Sequence, residues 1–197
     1  MLLYLVCWTI LVASGVAVGS VLLSIAGGSA FPRFGDRMIA AAWLGMLAIA
    51  AVLLGLSVLV PLSPAVGFGV IAILSAVSLS VKSVRSDFGK LFGLLSKPVT
   101  AGIALLAAAA ALNATRFVEA YDTGLYHYPL TRWLATYGTV RGLALIHFRF
   151  GFSSSWFALA ARHGYVAARG FGPGASHRAE NGADCRSAFG IHAWRSE

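Results

Sequence analysis

Residues 38–81, MIAAAWLGMLAIAAVLLGLSVLVPLSPAVGFGVIAILSAVSLSV, run for 44 residues without a charged side chain. A single helix of that length would rise roughly 66 Å, about twice the thickness of a hydrocarbon core of about 30 Å. Two helices joined by a tight turn fit instead. Pro61-Leu-Ser-Pro64 marks the turn, because proline removes a backbone donor and restricts the residue before it. A second membrane span is therefore expected over 38–60 and a third, shorter one over 65–81. Gly45, Gly55, Gly67 and Gly69, among many Ala and Ser, suit ordinary close helix packing.

Upstream, Met1 to Pro32 also lacks a charged side chain, and residues 2–26 are long enough for a first span. A cleaved signal peptide would need a basic start and a shorter apolar core, and both are missing. Arg33, Asp36 and Arg37 form the next loop. Downstream, Lys82, Arg85, Asp87, Lys90 and Lys97 read as a basic loop, and Ala-rich residues 98–115 as a fourth span. The strongly apolar part of that span is only about 15 residues, against the roughly 20 a crossing needs, so Lys97 would have to snorkel; a buried interfacial hairpin is the competing reading.

Composition agrees with an all-α integral membrane protein of about four transmembrane helices. Of the 197 residues, 58% are apolar and 11% charged, with a mean hydropathy of +0.80, whereas charged residues make up about a quarter of a soluble domain. The net charge of +8 comes from fifteen basic residues scattered through loops and tail rather than gathered on one face, which argues against a nucleic-acid partner. Cys7 lies in an apolar segment and Cys185 in the tail, so no disulfide framework is indicated.

Loop charge sets the expected topology. The loop after the first span carries two basic residues and the loop after the third carries four, while the N-terminus and the Pro61 turn carry none. By the positive-inside rule the basic loops are cytoplasmic. The N-terminus, the Pro61 turn and the region after the fourth span then face outward from an inner or plasma membrane.

That outward region, 116–147, contains Glu119-Ala-Tyr-Asp122-Thr-Gly-Leu-Tyr126-His127-Tyr-Pro129. Two carboxylates three residues apart, followed by Tyr and His, can take up a proton, bind a cation or hydrogen-bond a sugar hydroxyl. Pro129 suits a first helical position, and Leu130, Trp133, Leu134 and Tyr137 recur at helical spacing before Gly138, which predicts a helix over 129–138. Such a helix fits the membrane interface and packing against other protein segments equally well. Residues 148–161 begin a fifth span that Arg149 interrupts and Arg162-His163 ends, too short to cross. From 162 to 197 the composition of Gly, Ala, Arg and His has no periodicity and reads as a disordered or out-of-frame tail. Its His163, His177, Cys185 and His192 match no compact metal-ligand pattern, and Gly170-Phe-Gly172-Pro-Gly174 lacks the strand and helix of a phosphate-binding loop.

The segment from Glu119 to Phe157 resembles the first outward-facing region of a group of bacterial multi-span proteins similar to GT-C-type membrane glycosyltransferases. Asp122-Thr-Gly-Leu-Tyr126-His127, Trp133, Tyr137-Gly138, Gly142, His147, Arg149, Gly151-Phe152 and Ser154-Ser155-Trp156-Phe157 carry the likeness. The resemblance implies sugar transfer from a polyprenyl-phosphate carrier at the outer membrane face. It assigns Asp122 as general base or as a holder of a divalent cation, with Glu119 assisting. Tyr126, His127 and His147 would contact the sugar or phosphate, and Arg149, with its planar fork, would neutralise phosphate charge. Read without it, Asp122 is a solvated loop carboxylate, His127 an interfacial side chain bonded to its neighbours, and Trp133 and Trp156 interface anchors.

Proteins of that group continue through further spans, so a fragment or frameshift origin is expected for this chain, and with it no turnover. The alternatives are a non-catalytic membrane scaffold subunit and a transport subunit. Transport is disfavoured because the four expected spans hold no ionisable side chain at mid-membrane.

Overall fold

Gly15 and Gly19 of the first helix face Gly45 of the second so closely that main chain meets main chain, and this crossing organises the fold. In the computed structural model, which describes residues 2–27, 31–94, 96–114, 126–146, 148–151 and 154–161, every regular element among the described residues is helical. Helix α1 (Leu2–Ile25) and α2 (Phe34–Leu56) form an antiparallel hairpin. A Cβ on Gly15 would lie 2.9 Å from the Ala42 carbonyl oxygen, and one on Gly19 or Gly45 would overlap the Ala41 or the Gly15 main chain. The Gly15-Val-Ala-Val-Gly19 spacing thus does what small residues four apart do in membrane helices: it lets two backbones touch.

Around this hairpin lie α3 (Pro64–Ser80), packed on α1, then α4 (Lys82–Leu94) and α5 (Lys97–Ala114). The chain turns at Pro61-Leu-Ser-Pro64: Pro64 opens α3 and the Ser63 hydroxyl accepts a hydrogen bond from the Val66 N–H at 3.4 Å. Among the described residues two helices, Leu5–Ile25 and Phe34–Leu56, are long and apolar enough to cross a membrane; the count becomes three if α3 and α4, bent by 94° at Val81, form one broken span. The apolar Pro98–Asn113 part of α5 is shorter.

Two boundaries differ from the sequence expectation. Helix α2 starts at Phe34 and ends at Leu56, so Asp36 and Arg37 sit in its first turn rather than in a loop; an acid there complements the helix dipole. Residues 82–94, read as a basic loop, form the amphipathic helix α4. The physical reason is the spacing of Val84, Phe88 and Leu91 at i, i+4 and i+7, an apolar stripe that a count of charges overlooks. Asp87 is buried on α4, and its Oδ2 lies 2.9 Å from Arg37 Nη2 at the start of α2, at ion-pair distance without hydrogen-bond alignment.

After residue 125 come α6 (Tyr128–Tyr137), α7 (Leu143–Ile146), a 3-10 turn (Phe148–Gly151) and α8 (Ser155–Ala161). Within residues 148–161, expected as an unfinished span, the described residues form a 3-10 turn and a seven-residue helix. Helix α8 buries Ala158, Leu159 and Ala161 in the core formed by Ile49, Leu53, Leu62, Ile71 and Leu134. The apolar character that suggested a span is used in packing against α2 and α6.

Candidate functional site

Helix α6 carries the site and is fixed at its C-terminal end to the Pro61 turn. The Leu62 N–H donates to the Leu134 carbonyl at 2.9 Å, and the Thr139 N–H donates to the Ser57 carbonyl at 2.7 Å. The Ser57 and Thr139 hydroxyls share a further hydrogen bond of 2.7 Å. Gly138, which ends α6 with φ of +74°, is required twice over: a side chain disfavours that angle, and a Cβ would stand 2.5 Å from the Ser57 carbonyl oxygen. Leu130, Thr131 and Leu134 face inward, while Arg132 and Tyr137 are exposed. Helix α6 therefore lies at the end of the α1–α2 hairpin that holds the Pro61 turn.

At the start of α6, His127 already has helical backbone angles, and its carbonyl accepts from the Thr131 hydroxyl at 2.8 Å. Here the side chains gather. The Tyr126 and His127 rings meet edge to face with centroids 4.3 Å apart, and His127 lies 5.4 Å from Phe157 of α8. Arg149 of the 3-10 turn places its guanidinium carbon 5.1 Å from the Tyr126 ring centre and 5.7 Å from that of Phe148. A cation over aromatic faces keeps its charge while being partly desolvated, and Tyr126, His127 and Arg149 are all half-buried. Trp133 of α6 stacks obliquely on Phe150, 5.7 Å away. On α8, Trp156 reaches Trp43 of α2 in a T-shaped contact of 6.4 Å.

Three of the six residues singled out in the sequence, Tyr126, His127 and Arg149, are thus brought into one cluster. Glu119, Asp122 and His147 lie outside the described residues, as do residues 162–197 with His163, His177, Cys185 and His192. Among the described residues no three of His, Cys, Asp and Glu come together as a metal-binding group, and the two carboxylates to which a divalent cation would fall are those outside them. Cys7 is a buried free thiol. Phe157 and Trp43 are contacts that spacing alone did not reveal. Phe157 stands 30 residues from His127 and Trp43 stands 113 from Trp156, so only the packing of α8 against α2 and α6 unites them.

An arginine on aromatic rings beside an imidazole can do two things chemically. It can hold a phosphate by charge-assisted hydrogen bonds, and it can offer flat faces and a ring N–H to a sugar.

No curated protein and no solved structure matches the chain. One family described as a domain of unknown function, DUF8201, matches residues 1–165, a stretch that takes in every described helix and the aromatic cluster, and the chain belongs to that family.

Proposed function

We propose that the chain is a multi-span membrane protein, crossing with α1, α2, α3 and α5, that binds the phosphate–sugar head of a polyprenyl-phosphate carrier beside Tyr126, His127 and Arg149. The observation that carries this reading is the contact of Arg149 with Tyr126 and of Tyr126 with His127: a cation, a phenol and an imidazole from segments 22 residues apart, half-buried at one place. Arg149 takes the phosphate charge, and the rings take the sugar. The spans supply the surface along which an isoprenoid chain lies.

The ancestral reaction class of such a site is sugar transfer, with no turnover expected of this chain itself. An acceptor hydroxyl oxygen forms a bond to the anomeric carbon, the bond from that carbon to the phosphate oxygen breaks, and the polyprenyl phosphate leaves with the electron pair. The hydroxyl proton passes to Asp122, and Glu119 sets the charge around it. A base in that role must come within about 3 Å of the hydroxyl. No transfer is expected when the purified chain is supplied with polyprenyl-phosphate sugars; transfer by the native chain that disappears in Asp122→Asn would contradict that expectation and establish Asp122 as the base of a complete site.

A second reading, a non-catalytic assembly subunit, draws on α5. Ile103, Leu105, Leu106 and Leu112 of that helix are all more than half exposed, an apolar surface that suits lipid or another membrane chain. Cross-linking that captures a stoichiometric membrane partner along α5, together with no binding of the lipid carrier, would favour it.

A further inference from the structure

The bend at Val81 turns α4 by 94° from α3. If α3 runs across a membrane, α4 runs along its surface. The side chains of α4 decide between that and a broken span. Lys82, Ser86 and Lys90 recur every four residues on an exposed stripe, and Arg85 is exposed beside it, whereas Val84, Phe88 and Leu91 face the other way, Val84 fully buried and the other two half-buried. Three cations in nine residues are costly in hydrocarbon and suit the headgroup layer.

The acidic side chain of α4 does not offset them. Asp87 points inward and is matched by Arg37, so the outward face is purely cationic. Among the described residues Lys82, Arg85 and Lys90 have no ion-pair partner. At the end of α4 Phe92 is 68% exposed and Leu94 60% exposed. Phe92 lies against Phe88, so the two rings form one apolar edge. A basic stripe above an apolar edge is the pattern of a helix seated at the boundary of headgroups and acyl chains. The neighbouring Arg33 adds charge of the same sign, and Asp36 is the one exposed acid among the described residues of this end.

We propose that α4 is a surface helix that recognises the anionic headgroups of phospholipids through Lys82, Arg85 and Lys90, anchored to the bundle by the Arg37–Asp87 pair. The proposal rests on the membrane reading above. The positive-inside topology puts this helix at the cytoplasmic leaflet, where anionic lipids supply the complementary charge.

The test uses the full chain in phosphatidylcholine vesicles, with a fluorophore on Gly93→Cys, an exposed position with open space around it, and Cys185→Ser to remove the tail thiol. Quenching is compared between phosphatidylglycerol and phosphatidylcholine carrying the same nitroxide near the headgroup. The expected result is a preference for phosphatidylglycerol of at least about fivefold, the factor one well-placed cation gives near an anionic surface. It disappears in K82Q/R85Q/K90Q and at about 0.5 M salt, where screening is short-ranged, and it persists in K82R/K90R. Equal quenching by the two lipids, or an unchanged preference in the glutamine variant, overturns the proposal. So does loss of the preference on adding inorganic phosphate at matched ionic strength, which would make the stripe a free-anion site. Alkaline extraction of the same vesicles reads insertion separately: protein that stays with the lipid but shows no preference defeats lipid recognition alone, whereas protein released by carbonate defeats the membrane reading as well.

Discussion

The Ser57 and Thr139 hydroxyls lie 2.7 Å apart, and the Thr139 N–H donates to the Ser57 carbonyl at the same distance, a double link between residues 82 apart in sequence. It joins the end of α2 to the end of α6, and so fixes the candidate site to the Pro61 turn. Replacing Thr139 by Val removes the hydroxyl while keeping shape, and is expected to cost about 1 kcal/mol in thermal or denaturant unfolding. Ser57→Ala should cost more, because the Ser57 hydroxyl also donates to the Leu54 carbonyl at 2.6 Å, and the double variant less than the sum, because the two single variants share the Ser57–Thr139 bond. Additive losses would show that the two hydroxyls act separately.

Gly138→Ala is a stricter probe of the same junction. It meets both the +74° backbone angle and the Ser57 carbonyl, so it should destabilise by about 2 kcal/mol or more and loosen α6 from the turn. Hydrogen exchange over residues 128–139 should rise. A neutral substitution would mean that α6 is not held there.

The α1–α2 crossing is expected to tolerate no side chain. Gly19→Val and Gly45→Leu should lower stability by about 3 kcal/mol, at the upper end of overpacking costs, whereas Gly55→Ala, with nothing within 4 Å of its added Cβ, should be near neutral. Equal effects at Gly19 and Gly55 in a detergent unfolding assay would contradict main-chain contact between the helices.

Arg37→Gln leaves Asp87 buried without its cation, and a loss of about 3 kcal/mol is expected. Joint replacement, Arg37→Met with Asp87→Leu, should recover most of it, since an apolar pair of similar volume avoids the desolvation cost. If the double variant were as unstable as the single, the ion pair would not be what matters at this contact.

Topology is open to cysteine labelling in intact cells. With the N-terminus outside, a single Cys at Ser63 or Thr123 should react with an impermeant reagent and one at Ser86 should not. The reverse pattern would place the Pro61 turn and the candidate site inside.

Much of this architecture can be read from the chain because its signals are local. Charge-free runs and the two prolines at 61 and 64 announce helices and a turn, since both act through a few consecutive residues. Helix α4 was hidden because its apolar stripe is interleaved with cations, and counting charges treats such a segment as a loop. The short α8 was hidden differently: its apolar residues look like lipid-facing ones, and only the presence of α2 and α6 beside them makes the segment core. At the site, residue type drew notice to Tyr126 and His127 and the family resemblance to Arg149, but their meeting depends on the 3-10 turn at Phe148–Gly151 folding back over α6, a long-range event with no sequence period.

The most direct test of the proposed function is binding of a polyprenyl-phosphate sugar to the purified chain, measured for the native protein, Arg149→Gln and Arg132→Gln. Arg132 is an exposed cation on the same α6, so it controls for charge alone. Loss of a charge-assisted contact to phosphate is worth about 1.5–3 kcal/mol, or about 10- to 150-fold in affinity. The expected result is a drop of at least about tenfold for Arg149→Gln, little change for Arg132→Gln, and no binding of the uncharged polyprenol by any of the three. Equal affinity of the native chain and Arg149→Gln, or equal binding of polyprenol and the phosphate sugar, would contradict a headgroup site at Tyr126, His127 and Arg149.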